Sequence, residues 1–142
     1  MRAVTVESCT GGYVAKLITD VPDSSRWFDG GWVTYSNAAK QRDVGVLEAT
    51  LTAHGAVSEE VVREMAAGGL ARTQAHLAVA ISGVAGPGGG TPRNPVGSVW
   101  FAIAARIDGA PRVRTLHARF DGDRDGVRRH AAATALRLLV EG

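Results

Sequence analysis

Cysteine is almost absent from this chain of 142 residues. Cys9 is the only one, so no disulfide can form within the chain. No metal-binding pattern is visible, because the four histidines follow no metal-ligand spacing and there is no second cysteine. We therefore expect no metal ion.

Long apolar runs are also missing. None reaches the roughly 18 residues that a membrane-spanning helix needs. The N-terminus lacks the charged-then-apolar pattern of a secretory signal. These absences predict a cytoplasmic protein that does not bind membranes.

Strong charge of either sign is lacking. The net charge is +2 and charged residues make up 21% of the chain, so the composition does not indicate nucleic acid. No basic helix with groove-reading geometry is visible, and we expect no nucleic-acid partner. Among sixteen basic residues only Lys16 and Lys40 are lysines. They are of interest because a buried lysine can lose its proton, whereas arginine cannot.

The apolar residues that are present, 45% of the chain, alternate between strand and helix patterns. We predict strands at 3–6, 31–35 and 77–81, and a strand pair at 96–106 and 112–120 around Asp108-Gly109. We predict helices at 11–18, at 37–44, from Ser58 onward and at 123–140. This order predicts an α/β fold with one domain, residues 1–142, and a mixed β-sheet flanked by helices.

The first strand runs into a turn, Glu7-Ser8-Cys9-Thr10-Gly11-Gly12, that precedes the first helix. A nucleophile here would benefit from the unpaired N–H groups at a helix start. Ser8 and Cys9 are both candidates. The simpler interpretation is that Ser8 or Thr10 caps the helix and that Cys9 is a small buried side chain.

A second candidate group is the segment from Tyr35 to Lys40. A tyrosine at a strand end and a lysine on the next helical turn can meet over one pocket, where a desolvated Lys40 would act as a base. The alternative is a packed tyrosine and a solvated lysine.

Two further segments are candidates for ligand contacts. The segment from Ser82 to Thr91, which begins Ser82-Gly83-Val84-Ala85-Gly86, is rich in glycine and could cradle a phosphate, although it lacks the ending of a P-loop. Arg124 or Arg128, near the start of the last helix, could face an anion. The alternatives are a surface loop and a solvated helix start.

Taken together and in this order, the motifs resemble the CinA C-terminal domain family. The matching segments are Glu7-Ser8-Cys9-Thr10-Gly11-Gly12, Asp20-Val21-Pro22 with Ser24-Ser25, Val33-Thr34-Tyr35-Ser36-Asn37 with Lys40, His54-Gly55-Ala56-Val57-Ser58-Glu59, Ser82-Gly83-Val84-Ala85-Gly86-Pro87-Gly88-Gly89, Pro95-Val96-Gly97-Ser98-Val99-Trp100 and Gly122-Asp123-Arg124. Each is weak alone, but the ordered set is specific and covers nearly the whole chain.

The resemblance implies a serine-type amidohydrolase that converts nicotinamide mononucleotide to nicotinate mononucleotide and ammonia. This reaction needs no organic cofactor. Ser8 would be the nucleophile, Lys40 the base and Tyr35 its companion. Backbone N–H groups at Cys9, Thr10 and Gly11 would hold the oxyanion. The expected substrate-binding residues are Gly12, Ser36, Asn37, Gly83, Ala85, Gly86, Thr91 and Arg124.

Family members usually carry a helix before the first strand, and this chain begins without it. That difference leaves packing open, and we expect a homodimer or a higher homo-oligomer. Two other functions remain open: a non-catalytic nucleotide-binding or regulatory module of this competence- and damage-inducible family, and an amidase for another carboxamide.

Overall fold

Five strands form one mixed sheet in the order β2-β1-β3-β4-β5. The computed structural model describes all residues from Met1 to Gly142. The strands are β1 (Ala3–Glu7), β2 (Phe28–Val33), β3 (Leu77–Gly83), β4 (Ser98–Ile107) and β5 (Ala110–Arg119). The helices are α1 (Tyr13–Thr19), α2 (Asn37–Val44), α3 (Glu48–His54), α4 (Glu59–Ala71) and α5 (Arg124–Glu141), with a 3₁₀ turn at Ser24–Arg26.

The central strand β1 runs parallel to both of its neighbours, β2 and β3. The hairpin strands β4 and β5 continue the sheet in antiparallel fashion. The chain leaves β1 toward one edge through α1 and returns to β3 on its other side through α2, α3 and α4. This arrangement places a topological switch point between β1 and β3, where ligands of open α/β sheets bind at the carboxyl ends of the strands.

Each face of the sheet has its own core. Side chains alternate between the two faces, so Val79 and Ile81 of β3 pack with α1 and α5, while Ala78 and Ala80 face the α4 side. All four are fully buried, as expected of a central strand.

Helix α4 packs closely against Val44 and Val6 at Gly68 and Gly69. A Cβ at Gly68 would lie 1.8 Å from the main-chain oxygen of Val44, and one at Gly69 would lie 2.7 Å from a methyl carbon of Val6. The small residues on the facing strands serve the same close approach. Glycine is therefore required here for packing, although it weakens a helix intrinsically.

The structure confirms the α/β class, the mixed sheet flanked by helices and the hairpin at Asp108-Gly109, where both residues have positive φ. Helix α3 was not predicted. Strand β2 spans residues 28–33 rather than 31–35, because its pairing with β1 ends at Val33. None of the helices is both long and apolar enough to cross a membrane.

The prediction that Ser8 or Thr10 caps α1 is wrong. Gly12 occupies the cap position and offers no side-chain acceptor. The buried Glu7 carboxylate caps the helix instead, accepting hydrogen bonds from the N–H groups of Val14 at 2.9 Å and Ala15 at 3.0 Å. An acid at a helix start is favoured by the helix dipole, and this cap leaves the Ser8 hydroxyl available for other contacts.

Replacement of Gly68 by alanine tests the packing of α4. Alanine normally favours a helix over glycine, but here its Cβ would collide with the main chain of Val44. We expect G68A to lower the free energy of unfolding by about 1–3 kcal/mol. Urea denaturation measures this change. The control is G88A, since a Cβ at Gly88 meets nothing within 4 Å, and a G68A protein as stable as the wild type would contradict the packing argument.

Candidate active site

Three parallel strands end at one edge of the sheet and bring the predicted residues together. Ser8 directly follows β1, Thr34 and Tyr35 follow β2, and Gly83 ends β3. Main-chain hydrogen bonds extend the sheet past these ends, from Ser8 N–H to the Ile81 carbonyl at 2.9 Å and from Thr34 N–H to the Glu7 carbonyl at 2.8 Å. The backbone around Ser8 is therefore as firmly placed as the strands themselves.

A cavity of about 260 Å³ opens at this edge. Its walls come from the ends of β1, β2 and β3, from the segments before α2 and α4, and from the start of α5. Its lining residues are Ser8, Cys9, Tyr35, Lys40, Ala56, Val57, Ser82, Gly83, Ala85 and Arg124.

Lys40 reaches this cavity from α2 and is almost completely buried, with 1% of its surface exposed. Its Nζ lies 3.0 Å from Ser8 Oγ, 2.8 Å from the Thr34 carbonyl oxygen and 3.1 Å from the Tyr35 carbonyl oxygen. No carboxylate lies within ion-pair distance of it. Burial lowers the Lys40 pKa from its ordinary value to about 8, because desolvation disfavours the charged form.

The partners of Lys40 determine what its neutral form can do. The neutral amine has two N–H bonds and one lone pair. The carbonyl oxygens of Thr34 and Tyr35 can only accept hydrogen bonds, so they take the two N–H bonds. The lone pair is then left for the hydroxyl proton of Ser8, whose other acceptor, the Tyr35 carbonyl, is farther away at 3.5 Å. This is the arrangement of a nucleophile and its general base.

The turn between β1 and α1 offers main-chain donors beside Ser8. Gly11 and Gly12 have positive φ, 58° and 99°, a conformation that costs glycine little. The N–H groups of Cys9 and Thr10 have no acceptor within the chain, whereas the Gly11 N–H donates to the Ser8 carbonyl at 3.0 Å. Of the three donors expected for an oxyanion, Cys9 and Thr10 are free and Gly11 is already engaged.

The thiol of Cys9, the alternative nucleophile on this turn, is a poor one. The residue is 6% exposed, and burial raises its pKa to about 11. The thiol stays protonated near neutral pH, and a thiol reacts as a nucleophile only through its thiolate.

Tyr35 contributes to the site in two ways. Its main-chain carbonyl accepts the Lys40 hydrogen bond, while its side chain is 60% exposed over the cavity. The phenol oxygen accepts from Arg124 Nη2 at 3.4 Å, while Arg124 Nη1 donates to the Gly86 carbonyl at 2.8 Å. Tyr35 and Arg124 thus form one rim of the cavity, and the phenol makes no hydrogen bond to Ser8 or Lys40.

The predicted substrate-binding residues divide into two groups. Gly83, Ala85 and Arg124 line the cavity, and Gly86 lies beside it through the bond to Arg124. The others do not line it: these are Gly12, Ser36, Asn37 and Thr91. Ser36 caps α2 by accepting from the Ala39 N–H at 3.0 Å, and Thr91 is exposed and accepts from the Asn94 N–H.

Three lining residues were not singled out from the sequence as site residues: Ala56, Val57 and Ser82. Ser82 Oγ donates to the Ala56 carbonyl at 2.8 Å, which ties the end of β3 to the segment before α4. All three lie inside segments that carried the family resemblance, so the signal was present. What the sequence did not indicate was that these segments share a wall with Ser8.

A second cavity, of about 400 Å³, lies near the N-terminus and is lined by seven hydrophobic residues and Arg2. It contains no nucleophile beside a base. No cluster of three or more histidine, cysteine, aspartate or glutamate side chains in the structure could hold a metal ion. Of these two cavities, only the one at the carboxyl edge holds a hydroxyl beside an amine.

The fold and the site define a mixed α/β protein with a serine–lysine pair at the carboxyl ends of parallel strands. A family model, the CinA C-terminal domain, matches residues 1–142. The chain belongs to this family, as its ordered motifs predicted.

Relatives with names and structures agree with this assignment. The chain is 58% identical over 136 residues to the nicotinamide-nucleotide amidohydrolase PncC of Escherichia coli K12, covering 95% of this chain and 80% of that protein. It is 51% identical to PncC of Pseudomonas putida, covering 99% and 85%. The crystal structure of the competence/damage inducible protein CihA from Agrobacterium tumefaciens superposes with a TM-score of 0.94 at 42% identity, covering 99% and 84%.

The scarcity of lysine permits a direct test of the Lys40 environment. Two lysine signals are expected in an NMR titration of ¹³C-lysine-labelled protein, and the K16R variant leaves only that of Lys40. We expect Lys40 to titrate near pH 8, and Lys16 above its ordinary value because Asp20 holds its charged form. A Lys40 signal that titrates with or above Lys16 would show that the buried amine is charged at neutral pH.

Proposed function

We propose that this protein hydrolyses the carboxamide of nicotinamide mononucleotide, with Ser8 as nucleophile and Lys40 as general base. The observation that carries the proposal is the 3.0 Å contact between Lys40 Nζ and Ser8 Oγ, with the carbonyl oxygens of Thr34 and Tyr35 at 2.8 and 3.1 Å from the same nitrogen. The pKa of about 8 leaves an appreciable neutral fraction near neutral pH. The names of the relatives support the substrate.

In the first step Ser8 Oγ attacks the carboxamide carbon as its proton passes to Lys40 Nζ. The carbonyl oxygen becomes an oxyanion, and the free N–H groups of Cys9 and Thr10 are the donors nearest in the chain to the nucleophile. Fixed donors of this kind stabilise a tetrahedral intermediate without reorganising during the reaction.

In the second step the carbon–nitrogen bond breaks. Protonated Lys40 returns its proton to the leaving nitrogen, which departs as ammonia, and the nicotinoyl group remains as an ester on Ser8. Water then gives a proton to Lys40 and attacks the ester, releasing nicotinate mononucleotide and restoring the Ser8 hydroxyl. One amine thus serves as base and acid in turn, and the proton balance closes without a metal or redox partner.

The rim of the cavity suits an anionic substrate. Arg124 is exposed at the mouth and is held there by the Gly86 carbonyl and the Tyr35 hydroxyl. A guanidinium group matches the geometry of a phosphate. We propose that the carboxamide enters toward Ser8 while the ribose phosphate stays at the Arg124 rim, where Tyr35, Gly83 and Ala85 contact the nucleoside.

Replacement of Ser8 and of Cys9 separates the two possible nucleophiles. We expect S8A to lower kcat for ammonia release from nicotinamide mononucleotide by about 10³-fold or more, and C9A to stay within a fewfold of the wild type because the thiol is protonated. A coupled ammonia assay measures both. The opposite pattern would assign the reaction to Cys9.

The same assay separates the other functions. Turnover of nicotinamide but not of the nucleotide would indicate an amidase for another carboxamide. Nucleotide binding in calorimetry without ammonia release would indicate a non-catalytic module, and either result would overturn the proposed activity.

The pH dependence of the reaction tests the role of Lys40. Since the base must be neutral, we expect kcat/KM for nicotinamide mononucleotide to rise with pH and level off above about 8, as the Lys40 proton is lost. The K40R variant keeps the charge but cannot deprotonate at these pH values, and we expect it to be inactive throughout. A flat wild-type profile between about pH 6 and about pH 9, a range that spans the lysine transition, would contradict Lys40 as the base.

A further inference from the structure

The turn that carries Ser8 is held from two sides by charged side chains. On the inner side, the Glu7 carboxylate accepts from Thr10 Oγ1 at 2.7 Å as well as from the first N–H groups of α1. On the outer side, Arg128 reaches across from α5. Arg128 has no role in the mechanism proposed for Ser8 and Lys40.

The side chain of Arg128 donates hydrogen bonds only to main-chain oxygens of this turn. Its Nε donates to the Cys9 carbonyl at 3.1 Å and its Nη2 donates to the Thr10 carbonyl at 3.1 Å. It forms no ion pair, unlike its neighbour Arg129, which pairs with Asp125 at 3.0 Å. The guanidinium also lies close over Gly11, where a Cβ would approach Nη2 to 3.2 Å.

These two bonds set the direction of the neighbouring N–H groups. In a trans peptide the C=O of one residue and the N–H of the next point in opposite directions. Because Arg128 holds the Cys9 carbonyl toward α5, the Thr10 N–H points away from α5. The Thr10 carbonyl is held by Arg128 and also by the Tyr13 N–H at 3.0 Å, and the Gly11 N–H is turned back onto the Ser8 carbonyl, 3.0 Å away.

The Thr10 N–H is buried without a hydrogen-bond partner. Thr10 is fully buried, and its N–H has no acceptor in the chain. Buried N–H groups without partners are rare in folded proteins, because each forfeits a hydrogen bond. Thr10 does not itself line the cavity, but Cys9 does, so this N–H lies one residue along the chain from the cavity wall and two from Ser8.

We propose that Arg128 is a positioning residue: it does not touch the substrate, but orients the Cys9–Thr10 peptide so that the Thr10 N–H serves the oxyanion. This inference rests on the proposed serine hydrolysis. It predicts that loss of Arg128 weakens binding of the tetrahedral intermediate more than binding of the intact carboxamide, since the misdirected N–H contributes mainly once the oxyanion forms.

The test compares R128M, R128K and the control R129M. We expect R128M to lower kcat for ammonia release by about 10–100-fold, less than complete loss of an oxyanion donor, with KM for nicotinamide mononucleotide within about twofold of the wild type. R128K, which can hold one of the two carbonyls, should recover part of the loss. R129M should match the wild type.

A second measurement separates positioning from stability. The 3-formylpyridine analogue of the nucleotide would form a tetrahedral adduct with Ser8, and we expect R128M to weaken its inhibition by about the same factor as kcat. Equal kcat in R128M and R129M, or a fall explained by a smaller folded fraction with unchanged aldehyde inhibition, would overturn the role of Arg128. A wild type without ammonia release, or a fully active S8A, would instead overturn the proposed function on which this role depends.

Discussion

The contact on which the site depends is that between the Lys40 amine and the Ser8 hydroxyl. A lysine that is 1% exposed would ordinarily need a carboxylate partner. Here two carbonyl oxygens and the serine take that place. They accept its hydrogen bonds without supplying a negative charge, so no carboxylate offsets the lowering of the Lys40 pKa by burial, and the amine can act as a base. A carboxylate in this position would hold the proton on Lys40 and remove that chemistry.

The sheet makes this contact possible. Parallel strands β1 and β2 end side by side, so Ser8 at the end of one strand meets the carbonyls of Thr34 and Tyr35 at the end of the next. Helix α2 starts immediately afterwards, capped by Ser36, and its first turn returns Lys40 to those carbonyls. The position of Ser8 and Lys40 at the carboxyl edge therefore follows from the parallel pairing of β1 with β2 and from the short connection between β2 and α2.

In the turn after β1, one side chain caps the helix and another is left to contact Lys40. The helix start would normally be satisfied by a serine or threonine at the cap. Glu7 satisfies it from within the strand, which leaves Ser8 for Lys40 and the N–H groups of Cys9 and Thr10 unpaired. The pattern of Ser8 and Thr10 before a helix therefore misled the capping prediction, since nothing in the sequence indicates which oxygen a helix N–H will find.

The sequence by itself determined the α/β class, the strands and most helices, because apolar periodicity reflects local burial. Through its ordered motifs it also determined the family and the candidates Ser8, Tyr35 and Lys40. Only the tertiary structure decided how these residues are arranged. It gave Lys40 its carbonyl partners, turned the phenol of Tyr35 toward Arg124, engaged the Gly11 N–H and brought Arg128 to the turn. Such contacts join segments up to 119 residues apart, and their direction depends on backbone geometry that residue identity does not reveal.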